Sequence, residues 1–250
     1  MQAKDFSPSN FSVFLFSRAC VKISKSANEL FSLKSGRKSP VFVNMGSLID
    51  GEALEMLANA YAGRIHQLLK SKELEEFDFI FGPAYKGIPL GALTCAALYR
   101  NYKISKKFLY DRKEEKAHGD VKADQIIVGA NQFTAGSKIL MIDDVIATGG
   151  AKFEAWDKIK SVLPNPKLAG ILVAIDRQEC GGDDKIKSEN SAADEIKQKL
   201  NCPLYSIADM GDLFEGLRSS IAPAQAKMWK DYFKKWGTKE TKEWAGKAGL

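Results

Sequence analysis

No stretch of this chain stays apolar for the roughly 18 residues that a membrane-crossing helix needs. The patch Phe11 to Phe16 is too short for a secretory core and has no small-residue cleavage site behind it. The four cysteines, Cys20, Cys95, Cys180 and Cys202, lie scattered with no paired spacing. That pattern argues against a zinc site or a disulfide frame and suits the reduced thiols of a cytoplasmic protein. There is no internal repeat and no long low-complexity tract. A Walker phosphate loop is also missing, since no glycine-rich turn ends in Gly-Lys-Ser/Thr, and so is the three-glycine dinucleotide spacing.

What is present is an ordinary globular composition, with 45% hydrophobic and 27% charged residues. A chain of 250 residues holds one sizeable α/β domain with additions, or two small domains. The formal net charge is +6, but much of that excess is local. From Lys227 to Leu250 seven lysines face only Asp231, Glu240 and Glu243. Nucleic acid is therefore not an expected partner, and a small polyanionic substrate fits the remaining charge as well.

The chain is organised around Lys138 to Ala151, KILMIDDVIATGGA. Ile139 to Ile142 have the length and β-branched content of a buried strand. Asp143 and Asp144 follow, then Val145 and Ile146, then the turn Ala147, Thr148, Gly149, Gly150 and Ala151. Phe153, Trp156, Ile159 and Val162 repeat at helical spacing beyond it. Small residues let backbone N–H groups close on a phosphate at the positive end of a helix. Carboxylates placed before the turn accept hydrogen bonds from sugar hydroxyls or hold magnesium directly or through water. The unit reads as a site for a phosphorylated sugar.

Elsewhere the pattern is strand and helix in alternation. Asp50 is a plausible N-cap for a helix whose apolar face carries Leu54, Leu57, Tyr61, Ile65 and Leu68. His66 in that helix is given no role. FDFIF, Phe77 to Phe81, is a core strand running into Gly82-Pro83-Ala84-Tyr85-Lys86-Gly87, a second loop suited to an anion at a helix start. Lys107 to Tyr110 is a strand followed by the charged run Asp111 to Asp124, whose length suggests a lid. Leu168 to Ile175 is a further buried strand ending in Asp176-Arg177-Gln178-Glu179. Arg177 could fork onto a carboxylate or a pyrimidine edge. Residues 180–190 read as a surface loop, and 219–250 as a basic extension of one or two helices in which Trp229, Phe233 and Trp236 share a face. In Phe31 to Gly46, Ser35-Gly36 marks a turn between extended pieces, with Lys34, Arg37 and Lys38 around it.

FSLKSGRKSP, FGPAYKGIPL, DRKEEKAHG, ILMIDDVIATGG and AIDRQE occur in this order. Over roughly Phe31 to Leu217 they resemble the orotate phosphoribosyltransferases, within the type I phosphoribosyltransferases. The resemblance implies an α/β fold with a central parallel sheet flanked by helices and an N-terminal hood. The expected domain spans 1–218, with the hood at about 1–48 and the core at about 49–218. It implies transfer of the phosphoribosyl group of phosphoribosyl pyrophosphate (PRPP) to orotate, as in de novo pyrimidine synthesis. Lys116, His118, Asp143 and Asp144 would act in catalysis. PRPP would meet Lys34, Tyr85, Lys86, Arg112, Lys113, Lys116, His118, Asp143, Asp144 and residues 145–151, Val145 to Ala151. Orotate would meet Lys34, Phe42, Val43, Thr148 and Arg177. Magnesium would be held mainly by PRPP, with no direct protein ligand assigned. A homodimer is implied, each lid reaching into the partner's site, with no membrane association.

The chain departs from the family pattern in places. Val43 stands where a second aromatic is usual, and Ala147 and Thr148 exchange the usual order. Asp120-Val121-Lys122-Ala123 replaces the acid–glycine–glycine that normally follows the lid. These changes bear on base recognition more than on the reaction. Another phosphoribosyltransferase would keep 138–151 without needing the lid or DRQE. A PRPP-sensing regulator would bind nucleic acid in a salt-dependent way and show no turnover. A lid that stabilises the departing pyrophosphate acts in the transition state. Lys116→Ala is therefore expected to depress kcat far more than it weakens PRPP binding, read by steady-state kinetics beside a PRPP titration.

Overall fold

A computed structural model describes residues 7–112, 126–146 and 150–247. The expected lid residues Lys113, Lys116 and His118, and Ala147, Thr148 and Gly149 of the turn, lie outside these described residues.

Helix α1 (Pro8–Ser17) leads into β1 (Val21–Ile23), and then come β2 (Phe31–Ser32), β3 (Lys38–Ser39) and β4 (Val41–Val43). β1 pairs antiparallel with β4, and β2 with β3. The turn expected at Ser35-Gly36 is present, and Gly36 takes a φ of +81°, a conformation that favours glycine. Helix α2 (Gly51–Lys70) starts at Asp50, whose carboxylate accepts from Ala53 N at 2.8 Å. Next come β5 (Phe79–Gly82), α3 (Gly87–Tyr102), β6 (Lys107–Asp111) and β7 (Ile127–Val128). β8 (Lys138–Ile146), α4 (Gly150–Val162) and β9 (Lys167–Asp176) complete the centre.

These strands and β12 (Leu204–Asp209) form a six-stranded sheet among the described residues, in the order β12-β9-β8-β5-β6-β7. Every neighbouring pair is parallel except β6 with the edge strand β7. The parallel strands read as continuous apolar runs because both faces are covered. Along β8, Leu140 and Ile142 enter one buried cluster, while Ile139 and Met141 enter the other. The first cluster takes side chains from α1, α2 and α3, and the second takes Trp156 and Ile159 of α4. β8 runs further than the sequence suggests, through both acids to Ile146, because its pairing with β9 persists to the Ile146–Asp176 register.

Two segments correct the sequence reading. Residues 180–190 are not a plain loop: β10 (Cys180–Gly182) pairs antiparallel with β11 (Lys187–Ser191). Arg37, which the sequence shows only as a charge beside the Ser35-Gly36 turn, is not at the surface. It is 2% exposed and donates to the carbonyls of Cys180 (2.6 Å), Gly181 (2.7 Å) and Asp183 (3.1 Å). A buried guanidinium needs such acceptors, and a short β-turn folded back on itself supplies three.

Helices α5 (Ala192–Leu200) and α6 (Met210–Leu217) are each opened by a capping box, at Ser191 and Asp209 respectively. The basic extension forms α7 (Pro223–Trp236) and α8 (Lys239–Lys247). Trp229 and Phe233 of α7 are fully buried, and Phe214 of α6 meets Trp229 and Trp244 edge-on at 5.5 and 4.8 Å. The extension is thus packed into the same apolar cluster as α1, α2 and α3.

Asp176 sits half-buried at the carboxyl end of β9. Loss of surrounding water pushes its carboxyl up to about 6, opposed by the hydrogen bond from Gln178 N and reinforced by the charges of Asp209, Asp194 and Glu179. A carboxyl raised in the folded state favours folding fully below its ordinary value of 3.8, and that contribution is lost as pH rises through about 6. Asp176→Asn is therefore expected to be more stable than the parent at pH 8, by on the order of 1 to 2 kcal/mol. The gap should narrow steadily as pH falls from 7 to 4, measured by thermal unfolding across that range.

Candidate active site

The order of the sheet puts a topological switch between β5 and β8, whose following connections leave in opposite directions. Open α/β sheets bind ligands in the crevice that such a switch creates at the carboxyl ends of the strands. A cleft of about 670 Å³ lies there. Lys34 reaches it from the β2–β3 hairpin, Tyr85 and Lys86 from the loop after β5, and Asp143, Asp144 and Val145 from β8.

The loop after β5 is folded tightly. A Cβ on Gly82 would lie 2.0 Å from the Gly87 carbonyl oxygen, and one on Gly87 would lie 2.5 Å from Pro83. Only glycine lets the backbone close this far before α3 begins. Asp111, at the end of β6, accepts from Ala84 N at 2.6 Å and receives Lys158 of α4 at 3.2 Å. Tyr85 stands 66% exposed at the tip, beside Lys86.

The two acids are held differently. Asp144 receives Lys86 Nζ at 2.7 Å, and Lys86 is largely exposed. Asp143 receives Lys152 Nζ, from the first turn of α4, and Lys152 is 4% exposed. Lys152 Nζ also lies 3.5 Å from the Val145 carbonyl. Each carboxylate accepts the following backbone N–H, Asp143 from Asp144 at 2.9 Å and Asp144 from Val145 at 2.8 Å. Behind them the Tyr61 hydroxyl donates to the Asp143 carbonyl at 2.7 Å. Burial first, and then the charges of Asp144 and Asp143, raise the Tyr61 phenol well above its ordinary value, so it stays a neutral donor. The pair is thus fixed in place by two cations and a phenol.

Phe42, Val43 and Arg177 do not line this cleft. Phe42 packs on Phe31 with ring centres 5.7 Å apart, and Val43 is half-buried against the core. Arg177 follows Asp176, the register partner of Ile146 at the end of β8. Its Nε and Nη2 donate to Glu179 Oε1 at 2.9 and 2.5 Å, and Nη2 lies 3.3 Å from the Ser39 hydroxyl. Ser39 is the register partner of Phe31, which places Arg177 and Phe42 on adjoining elements. Arg177 is 4% exposed, and its described contacts are with Glu179 and Ser39 of this chain. Arg112, at the edge of the charged run, has a buried Nε with no hydrogen-bond partner among the described residues.

Sequence reasoning missed Lys152, Asp111, Lys158 and Tyr61. Tyr61 and Lys152 looked like ordinary helix residues. Their position relative to Asp143 depends on how α2 and α4 pack against the sheet. Among the described residues, no group of three or more His, Cys, Asp or Glu side chains is arranged to hold a metal ion. No helix of the described residues is long and apolar enough to cross a membrane.

A six-stranded, mostly parallel sheet, with an acidic pair and a tight loop at its switch point, is the arrangement of a phosphoribosyltransferase of type I fold, and comparisons with known proteins agree. The family model described as phosphoribosyl transferase domain matches residues 44–205. A relative from Acinetobacter baumannii named orotate phosphoribosyltransferase is 39% identical over 226 residues, covering 88% of this chain and 94% of that one. One of the same name from Schizosaccharomyces pombe is 40% identical over 199 residues, covering 79% and 85%. The crystal structure of orotate phosphoribosyltransferase from Francisella tularensis superposes with a TM-score of 0.74 at 34% identity, covering 92% of this chain and all of that one. The chain belongs to the orotate phosphoribosyltransferase family.

The two lysine contacts should differ in worth. Lys152→Met leaves a nearly buried Asp143 without its cation and is expected to cost about 2 to 4 kcal/mol of stability. Lys86→Met removes an exposed partner and should cost less than about 1 kcal/mol. Urea unfolding of the two variants beside the parent measures the contrast.

Proposed function

We propose that this protein transfers the phosphoribosyl group of PRPP to orotate, giving orotidine 5′-monophosphate and pyrophosphate, a pentosyl transfer of pyrimidine biosynthesis. The observation that carries this reading is the cleft where Lys34, Tyr85, Lys86, Asp143 and Asp144 meet at the switch point of the sheet. The 5′-phosphate would sit at the turn before α4, on backbone N–H groups and the positive helix end. Asp143 and Asp144 would accept from the ribose hydroxyls. Lys86 is largely exposed and so is able to leave Asp144 for the pyrophosphate. Such an exchange would free the carboxylate as the sugar arrives. Lys152 is buried and would stay on Asp143, holding that oxygen in place.

Orotate N1 attacks the ribose C1 as pyrophosphate departs, through an oxocarbenium-like state. Positioning and charge matching then carry the catalysis, with no covalent enzyme intermediate. Arg112, Lys113, Lys116 and His118 would offset the charge building on pyrophosphate. Lys34 would lie between the two substrates, with Phe42, Val43, Thr148 and Arg177 on the orotate side. Magnesium, when bound with PRPP, supplies charge neutralisation on the pyrophosphate. The acids of this cleft already receive lysines, which suits a cation carried mainly by the substrate's own oxygens.

The family resemblance further supports a cytoplasmic homodimer in which lid residues reach the partner's site. It also supports a hood at about 1–48, a core to about 218 and an extension beyond. Loss of orotate absorbance with purified protein, PRPP and magnesium tests the reaction. Loss that requires both PRPP and metal is the expected outcome. Absence of turnover while PRPP still binds would overturn the reading.

A further inference from the structure

The extension 219–247 does more than cover an apolar face. Its backbone joins three consecutive residues just after Arg177. Thr238 N donates to the Gln178 carbonyl at 2.9 Å, and Thr241 Oγ1 reaches the same oxygen at 3.3 Å. Gly237 forms an antiparallel β-bridge with Glu179. Cys180 Sγ donates to the Gly237 carbonyl at 2.9 Å. Gln178 itself has a φ of +49°, a left-handed conformation that a non-glycine residue adopts at some cost. Its carbonyl takes the two donors from the extension, its N–H donates to Asp176 at 2.8 Å and its side chain to Asp209 at 3.1 Å, and Glu179, the next residue, meets Arg177.

The side chains repeat the arrangement. Glu179 takes both donors of Arg177 on one oxygen, and its other oxygen lies 3.8 Å from Arg37 Nη1. Arg37 in turn lies 4.4 Å under the ring of Trp236, the last residue of α7. Stacking on an aromatic face and binding to carbonyls are the two contacts that suit a guanidinium removed from water. The chain of contacts therefore runs Trp236–Arg37–Glu179–Arg177, and it ends on the arginine assigned to orotate. No residue of the extension lines the cleft that holds Lys86 and the acidic pair.

We propose that Trp236, with the Gly237–Thr241 segment, is a positioning element for the base. It sets the direction of the Arg177 fork through Arg37 and Glu179 and leaves the PRPP side untouched. This rests on the orotate reading above. The test uses the full chain with Trp236→Ala, Trp236→Phe and Thr241→Val, comparing KM for orotate, KM for PRPP and the melting temperature. Trp236→Ala should raise the orotate KM roughly tenfold, with the PRPP KM within about twofold of the parent. Trp236→Phe keeps an aromatic face for Arg37 and should restore most of the loss. Thr241→Val removes one donor to Gln178 and should raise the orotate KM by about threefold. It carries the test if Trp236→Ala does not fold. An unchanged orotate KM, or an equal rise in both KM values, would overturn the positioning role. Absence of orotate turnover in the parent would overturn the assigned reaction and this role with it, so the two failures are told apart by the parent alone.

Discussion

Two adjacent carboxylates at the end of a strand buried on both faces repel each other and are costly to strip of water. The structure around them is arranged to meet that cost. A lysine on either side, a neutral phenol behind and the strand's own N–H groups all converge on Asp143 and Asp144. Each partner comes from a different element: Lys86 from the loop after β5, Lys152 from α4 and Tyr61 from α2. The positions of α4 and the loop after β5 are therefore tied to one pair of charges, and α2 to the main chain that carries them. The same requirement separates a fixed partner from an exchangeable one. Lys152 has almost no access to solvent, whereas Lys86 is mostly in it.

The strand that carries the two acids was legible because it is written locally. A strand, two acids and a small-residue turn lie within 138–151, and the Asp50 cap, the Gly36 turn and the apolar runs of β5, β8 and β9 follow from short-range pattern alone. What could not be read depends on distant partners. Arg37 looks like any charge beside a turn until the carbonyls of residues 180–183 surround it. Residues 180–190 are polar and glycine-rich, and their pairing as β10 and β11 owes as much to that buried guanidinium as to their own propensity. Lys152 has the sequence context of a solvated helix position, and only the close approach of α4 to β8 makes it a partner of Asp143.

On the proposed reading, the cleft and the base side draw on different parts of the fold. PRPP would be met by the core strands and the loops at their ends. The base would be met by short hood strands and the residues after β9, and the extension abuts only the second group. Lys34, on the β2–β3 hairpin, is the point where the two groups meet, since it reaches the cleft from among the short strands.

The buried Arg37 also says something about the order in which the molecule can be completed. Its carbonyl partners lie 143 to 146 residues further along the chain, and its aromatic cover is Trp236, close to the chain's end. The short strands on either side of Arg37 cannot shelter this charge until those far-removed segments have folded against them. Contacts of such long separation close late, after the entropy of the intervening loop has been overcome. The strands around Arg37 are thus complete only once those distant segments have docked, and a chain lacking α7 would leave the guanidinium without its aromatic cover.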